Sequence, residues 1–285
     1  MAAGDFLIAQ ISDIHLGGAV SDGIDANRAR LGRVLDRLCA MARLPDLLLV
    51  TGDLAEAGDA DSYGQLEQQL GRCPFPAHVA LGNHDQRTAA RAVFAYGEGE
   101  FLHYSIDAPG LRIVVLDTLE EGRHGGAFCE AREAWLRATL RQAPDRPVLV
   151  ALHHPPIDTG LDWLTTSPNE PWLARLDAAL AESEQVVALL AGHVHRPIAA
   201  SRGAIPVRVC PSVAAPLALD LAALSPERPD GRPLVVEGPP GYALHLWREG
   251  VLTTHFDFVE EQRAILRFDA AMQPFVRSLF AERTG

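Results

Sequence analysis

The sequence predicts an α/β fold, and three observations carry the prediction. Short apolar runs of strand length alternate with stretches of helical spacing over the first 195 residues. Five of those runs end in side chains of metal-ligand type, the arrangement expected where the carboxyl ends of strands meet at one site. Beyond Arg196 the runs read as a more antiparallel, strand-rich part.

Phe6 to Ser12 is the first buried-strand run, and Asp13-Ile14-His15 follows it. An Asp and a His two apart after a strand either converge on one point or close a polar turn. From Ala26 to Leu44 the residues Leu31, Val34, Leu35, Leu38 and Met41 recur at helical spacing, and Pro45 is expected to stop that helix. Leu47 to Thr51 is the second run and ends in Gly52-Asp53; Ala60 to Leu70 reads as a short helix. Ala77 to Leu81 is the third run and ends in Gly82-Asn83-His84-Asp85. Leu102 to Ile106 and Leu111 to Leu116 read as a strand pair around Ala108-Pro109-Gly110. Cys129 to Gln142 follows as a helix with Trp135, Leu136 and Leu140 on one side. Val148 to Leu152 is the fourth run and ends in His153-His154-Pro155-Pro156. Ile157 to Pro171 has loop chemistry, and Pro171 to Ala181 reads as a helix. The fifth run starts at Val186 and ends in Gly192-His193-Val194-His195.

Later strands are expected at Ile198 to Ser201, Val207 to Cys210, Tyr242 to Trp247 and Val251 to Phe258, the last two joined by a hairpin turn at Arg248-Glu249-Gly250. Leu224 to Gly241, rich in proline, glycine and charge, reads as a surface loop. Phe268, Met272, Phe275, Val276 and Leu279 form a helical stripe, expected to dock on the core or on a second subunit of a homo-oligomer. The chain thus divides into a domain over 1–263, with an active-site loop near 157–171, and a helical tail over 264–285.

Composition limits the function. The chain has 285 residues, of which 48% are hydrophobic, enough for a substantial core. A net charge of −12 argues against long nucleic acid or an anionic membrane as partner. No apolar run is long enough to span a bilayer, and the first residues lack the basic and apolar regions of a signal peptide. The four cysteines show no C-x-x-C spacing, so reduced thiols in a cytoplasmic protein are expected.

Each polar strand ending is common by itself; five in series form a constellation. Asp, His and Asn together make a mixed oxygen and nitrogen site that suits Mn, Fe, Zn or Co better than Ca. Without thiolates it is no structural zinc cage. The remaining histidines, His78, His103, His124, His245 and His255, read as structural or solvated, although the Arg123-His124-Gly125-Gly126 loop lies where it could reach the site.

Taken together, Asp13-x-His15, Gly52-Asp53, Gly82-Asn83-His84-Asp85, His153-His154-Pro155 and Gly192-His193-Val194-His195 resemble the five motifs of the calcineurin-like metallophosphoesterases, in matching order and spacing from Phe6 to His195. Tyr242 to Trp247 and the final hairpin resemble that family's bacterial branch, which contains cyclic-nucleotide and glycerophosphodiester phosphodiesterases. The resemblance implies a two-sheet α/β sandwich with helices on its outer faces. It also implies two divalent or trivalent metal ions, one held by Asp13, His15, Asp53 and His195, the other by Asp53, Asn83, His153 and His193. His84 would stand beside the substrate phosphate, and His154 would back the ligands or face the substrate.

The activity so implied is attack of a metal-bound hydroxide on a small phosphodiester, such as cAMP or a glycerophosphodiester. Asn83 would position the phosphoryl oxygens, and His84 would stabilise phosphate charge or protonate the leaving alkoxide. Asp85 would either orient His84 or cap the turn. The competing readings are a phosphomonoesterase on the same centre and a non-catalytic binding scaffold. A monoester dianion favours extra cationic side chains, which these motifs hardly supply.

Overall fold

A computed structural model describes residues 4–18, 20–21, 24–164, 167 and 169–284. In chain order the strands are β1 (Phe6–Ile11), β2 (Val20–Ser21), β3 (Ile24–Asp25), β4 (Leu47–Thr51), β5 (Ala77–Ala80), β6 (Tyr104–Ala108), β7 (Leu111–Val115), β8 (Val148–Ala151), β9 (Val186–Ala191), β10 (Ile198–Arg202), β11 (Ile205–Val209), β12 (Gly241–Arg248) and β13 (Val251–Phe258). The helices are α1 (Ala26–Cys39), α2 (Ala60–Leu70), α3 (Arg87–Val93), α4 (Glu130–Arg141), α5 (Pro171–Leu180) and α6 (Gln273–Ala281).

Two mixed sheets face each other. The first runs β13-β12-β1-β4-β5, the second β10-β11-β9-β8-β7-β6, and β2-β3 is a separate small ribbon. In the first sheet β1, β4 and β5 are parallel; in the second β7, β8, β9 and β11 are. The antiparallel pairings are the outer ones, β12 and β13 on one sheet and β6 and β10 on the other.

The second sheet shows why its strands read as continuous apolar runs. Ile113, Val115, Leu149, Ala151, Ala188 and Leu190 face the core shared with β1, β4, α1 and α2. The alternate residues Val114, Val148, Val150 and Leu189 face α4 and α5. A strand buried on both faces cannot alternate polar and apolar residues. A polar seam also crosses the core. Gln10 Nε2 donates to Thr51 Oγ1 (2.8 Å) and to the Ala191 carbonyl of the other sheet (3.0 Å), and its Oε1 accepts from His245 Nε2 (2.9 Å).

Three elements differ from expectation. Helix α1 starts where expected, capped by the Asp25 carboxylate on the N–H groups of Asn27 and Arg28, but ends at Cys39. Pro45 disfavours helix at Leu44, and Asp46 N–H must reach the Leu7 carbonyl to start β4, so the intervening residues leave the helix early. Helix α3 was not expected, because seven residues with Ala90 alone buried show no apolar period. The C-terminal helix forms over Gln273–Ala281, so Phe268 and Met272 of the expected stripe precede it, and no residue of α6 is buried: Phe275 is 57% exposed and Phe280 59%. Of the expected active-site loop, residues 165, 166 and 168 lie outside the described residues. Among the described residues no helix is long and apolar enough to cross a membrane.

Candidate metal centre and active site

All five polar endings follow parallel strands, β1, β4, β5, β8 and β9, three from one sheet and two from the other. Backbone bonds hold neighbouring strand ends within each sheet, Asp13 N–H to the Gly52 carbonyl and Gly192 N–H to the His153 carbonyl, both at 3.0 Å. The two sheets are tied at that edge by His193 N–H, which donates to the Asp13 carboxylate at 2.9 Å. Among the described residues six non-glycine residues have positive φ, and five are Asp13, His15, Asp53, His193 and His195. Left-handed backbone is costly for such residues and persists where the surroundings dictate it. Here it turns side chains from successive strand ends toward one point.

Tautomers follow from the outer contacts. His15 Nδ1–H donates to the Glu56 carboxylate (2.7 Å), His195 Nδ1–H to the Ala215 carbonyl (2.9 Å) and His153 Nδ1–H to the Thr51 carbonyl (2.8 Å). Their Nε2 lone pairs are left facing other acceptors. His15 Nε2 and His195 Nε2 are 3.1 Å apart. His153 Nε2 lies 3.2 Å from Asn83 Oδ1 and 3.3 Å from Asp53 Oδ2. Asp53 Oδ2 is also 3.5 Å from His15 Nε2, so one carboxylate reaches both nodes. Asp13 Oδ1 lies 3.7 Å from His195 Nε2 and 4.0 Å from His153 Nε2. Buried acceptors that face acceptors need cations between them. The donor set therefore fits two divalent ions bridged by a carboxylate.

The electrostatics agree. Burial, aided by His153, pushes His193 down to about 3, and burial lowers His195 as well. Burial also opposes a charge on His153, but Asp53, Asp13 and the Thr51 carbonyl outweigh it and raise that ring to about 9. Asp53 is held well below the usual carboxylate range, against its own burial, by His153 and His15. Metals take neutral imidazoles and ionised carboxylates. His193, His195 and Asp53 are already in those forms, whereas His153 and His15, which the surrounding carboxylates raise, give up a proton that a cation replaces.

His84 lines the cleft above these groups and donates from Nδ1 to the Glu56 carbonyl (3.2 Å), which leaves the lone pair on Nε2. His193 sits deeper, its ring centroid 5.1 Å from that of His153 and 4.9 Å from that of His154. His154 is 1% exposed, with Nδ1 bonded to Thr118 Oγ1 at 2.8 Å. Asp85 does not touch His84: its buried carboxylate accepts from the N–H groups of Leu54, Ala55 and Gly82 and from the Tyr63 hydroxyl. It caps the turn, and burial with Asp53 nearby raises its pKa to about 6.

A protein family described as "Calcineurin-like phosphoesterase" matches residues 6–197, the span that supplies every candidate metal ligand above. The chain is a calcineurin-like phosphoesterase. It is 30% identical over 261 residues to a probable glycerophosphodiester phosphodiesterase, GpdQ, of Arcobacter nitrofigilis, covering 89% of this chain and 93% of that one. It is 31% identical over 209 residues to the 3′,5′-cyclic adenosine monophosphate phosphodiesterase CpdA of Pseudomonas aeruginosa, covering 72% and 75%. A dimetal phosphatase of Danio rerio shares the fold, with a TM-score of 0.68 at 14% identity over 92% of this chain and 98% of that one.

In this phosphoesterase the cleft over the two nodes is about 440 Å³, within the range of small-molecule sites. Its floor is His15, Asp53, Asn83, His84, His193 and His195, and its apolar walls include Trp163, Leu164, Leu217 and Val235. Among the described residues no arginine or lysine lines it. One residue here was not assigned from the sequence, and a second was read as structural or solvated with its loop able to reach the site. Glu56 orients His15 and stands 3.6 Å from His84 Nδ1; its only sequence signal is a carboxylate three residues after Asp53. His124 also lines the cleft, within 3.5 Å of Asn83 Nδ2, so it belongs with the site and not with the structural histidines. The glycine pair after it was its signal.

Proposed function

We propose that this calcineurin-like phosphoesterase is a dinuclear metal-dependent phosphodiesterase for small diesters, a 3′,5′-cyclic nucleotide or a glycerophosphodiester. The observation that carries the reading is a cleft whose floor is an acceptor-rich cradle for two cations and whose walls hold no arginine or lysine among the described residues. Such a cleft suits a monoanionic diester better than a monoester dianion, which gains from additional cationic side chains.

Asp13, His15, Asp53 and His195 would hold one ion and Asp53, Asn83, His153 and His193 the other; Mn, Fe, Zn and Co suit this donor set. When bound, such ions supply Lewis acidity that activates water and offsets phosphoryl charge. The chain's own residues do the rest. Glu56, Ala215 and Thr51 fix the imidazoles of His15, His195 and His153 in one tautomer. Asn83 positions a phosphoryl oxygen, and His84, on the open side of the cleft, donates a proton to the leaving alkoxide. His154, buried under His193, holds that ring in place. Four cysteines without a disulfide agree with a cytoplasmic location.

The test is hydrolysis of bis(p-nitrophenyl) phosphate beside p-nitrophenyl phosphate, with Mn²⁺ and again after chelation. Chelator-sensitive cleavage that favours the diester is the expected result. Preference for the monoester would move the reading to a phosphatase.

A further inference from the structure

The catalytic cleft does not end at the metal nodes. Its wall residues Trp163, Leu164, His124 and His193 also bound a side chamber of about 100 Å³ that runs on to Glu170 and Trp172. Trp163 therefore stands between the two spaces. It is 40% exposed, although a large aromatic side chain gains from burial and nearby Leu161 is buried at 1%. Across the cleft Leu217 pairs with Val235 through an isolated antiparallel bridge, so a second apolar surface forms the other side.

The chamber beyond Trp163 is polar in a specific way. Trp172 is 4% exposed, and its Nε1–H is buried with no hydrogen-bond partner. Buried donors are rarely left unpaired, and a ligand acceptor is one way to satisfy them. Glu170 lines the same chamber, and its carboxylate is in no ion pair among the described residues. Gly126 keeps the space open: a Cβ there would stand 3.0 Å from Trp172 Cζ2 and 3.0 Å from His154 Cβ. A flat platform, one free donor and one free acceptor match the face and edge of a heteroaromatic ring. A glycerol group has no such face to place there, and a choline cation, although it meets aromatic faces, carries no acceptor for the Trp172 Nε1–H.

Resting on the phosphodiesterase reading, we propose that Trp163, Glu170 and Trp172 form a specificity subsite for a planar, nucleobase-like group carried by the diester. The ring stacks on Trp163, its donor edge meets Glu170 and its acceptor edge meets Trp172. The site thus prefers diesters of nucleosides over diesters of aliphatic alcohols.

The experiment measures kcat/KM of the Mn²⁺-loaded full chain for 3′,5′-cAMP and for glycerophosphoethanolamine, in the wild type, Trp163→Ala and Trp163→Phe. Alongside it, the affinity for 5′-AMP is measured by calorimetry, which needs no turnover. Loss of a stacking platform lowers base affinity by about tenfold or more. Trp163→Ala is expected to lower the ratio of the two kcat/KM values by about that factor, through KM for cAMP, and to weaken 5′-AMP by a similar factor, while Trp163→Phe restores most of both. An unchanged ratio and unchanged 5′-AMP affinity, in an enzyme that cleaves both diesters, would overturn the subsite alone. If the wild type cleaves neither diester, the catalytic reading fails, and the Trp163 dependence of 5′-AMP binding still decides the subsite.

Discussion

A β-carbon on Gly82 would stand 2.2 Å from Asp53 Oδ1 and 2.4 Å from Asp53 N. The crowding is with the carboxylate that reaches both nodes, and neither that group nor the backbone beside it has room to retreat. Gly82→Ala is therefore expected to displace Asp53, reduce bound metal measured by mass spectrometry and lower diester turnover by about 100-fold, the usual scale for a misplacement of 1 Å. Normal metal content in that variant would show that Asp53 is not shared. At His84 the expectation concerns the leaving group. His84→Ala should slow diesters with alkoxide leaving groups by about 100-fold or more, and p-nitrophenyl diesters much less, because nitrophenolate leaves without a proton. Equal losses on both substrates would make His84 a charge-stabilising group and not the acid.

At the scale of elements, the loop that carries Asn83 and His84 is held by a helix that touches neither. Tyr63 of α2 donates its hydroxyl to Asp85 and accepts from Gln86 N–H at 2.9 Å. Tyr63→Phe leaves both groups short of a partner and should cost about 1–3 kcal/mol in urea unfolding. A neutral result would mean that water replaces the hydroxyl. The tail makes the opposite case. No side chain of α6 is buried, so removing 264–285 should leave the unfolding free energy of the body within about 0.5 kcal/mol. A larger loss would show that the tail docks on the body in solution, and a fall in solution mass would show that a second copy covers its stripe.

Across the whole molecule, His245 links stability to pH. It sits in the polar seam between the sheets, bonded to Gln10 and to Thr254 Oγ1 at 2.9 Å each. Burial, with Arg208 nearby, pushes its pKa down to about 3. The unfolded chain binds a proton there near pH 6.5 and the native chain does not. The stabilisation is therefore complete above pH 6.5 and is lost as pH falls from there toward 3. Between pH 6.5 and 5 this one group should remove about 2 kcal/mol. His245→Gln, which cannot ionise, should lower the slope of unfolding free energy against pH by about one proton in that window. An unchanged slope would assign the acid sensitivity to other groups.

Much of this protein could be read before any coordinates. Strand runs and their glycine-led polar endings are local, because a strand buried on both faces must be apolar throughout and a close approach admits no side chain. The order of Asp13, Asp53, Asn83, His153 and His193 along the chain was legible for that reason. Helix α3 was not, since a helix of seven residues with one buried position has no period to detect. Glu56 was missed because nothing local marks a carboxylate as useful, and the parallel pairing of β1 with β4 brings it to His15. The His124 loop was read as able to reach the site, but only the packing of one sheet on the other brings that imidazole to Asn83. Tertiary structure likewise decided that Asp85 caps a turn, that the α6 stripe stays exposed and that Trp163 stands between two chambers. Sequence alone determined the residue types and their spacing, which are covalent. The tautomers, the facing lone pairs and the shape of the cleft depend on groups up to 180 residues apart, and those meet only when the sheets pack.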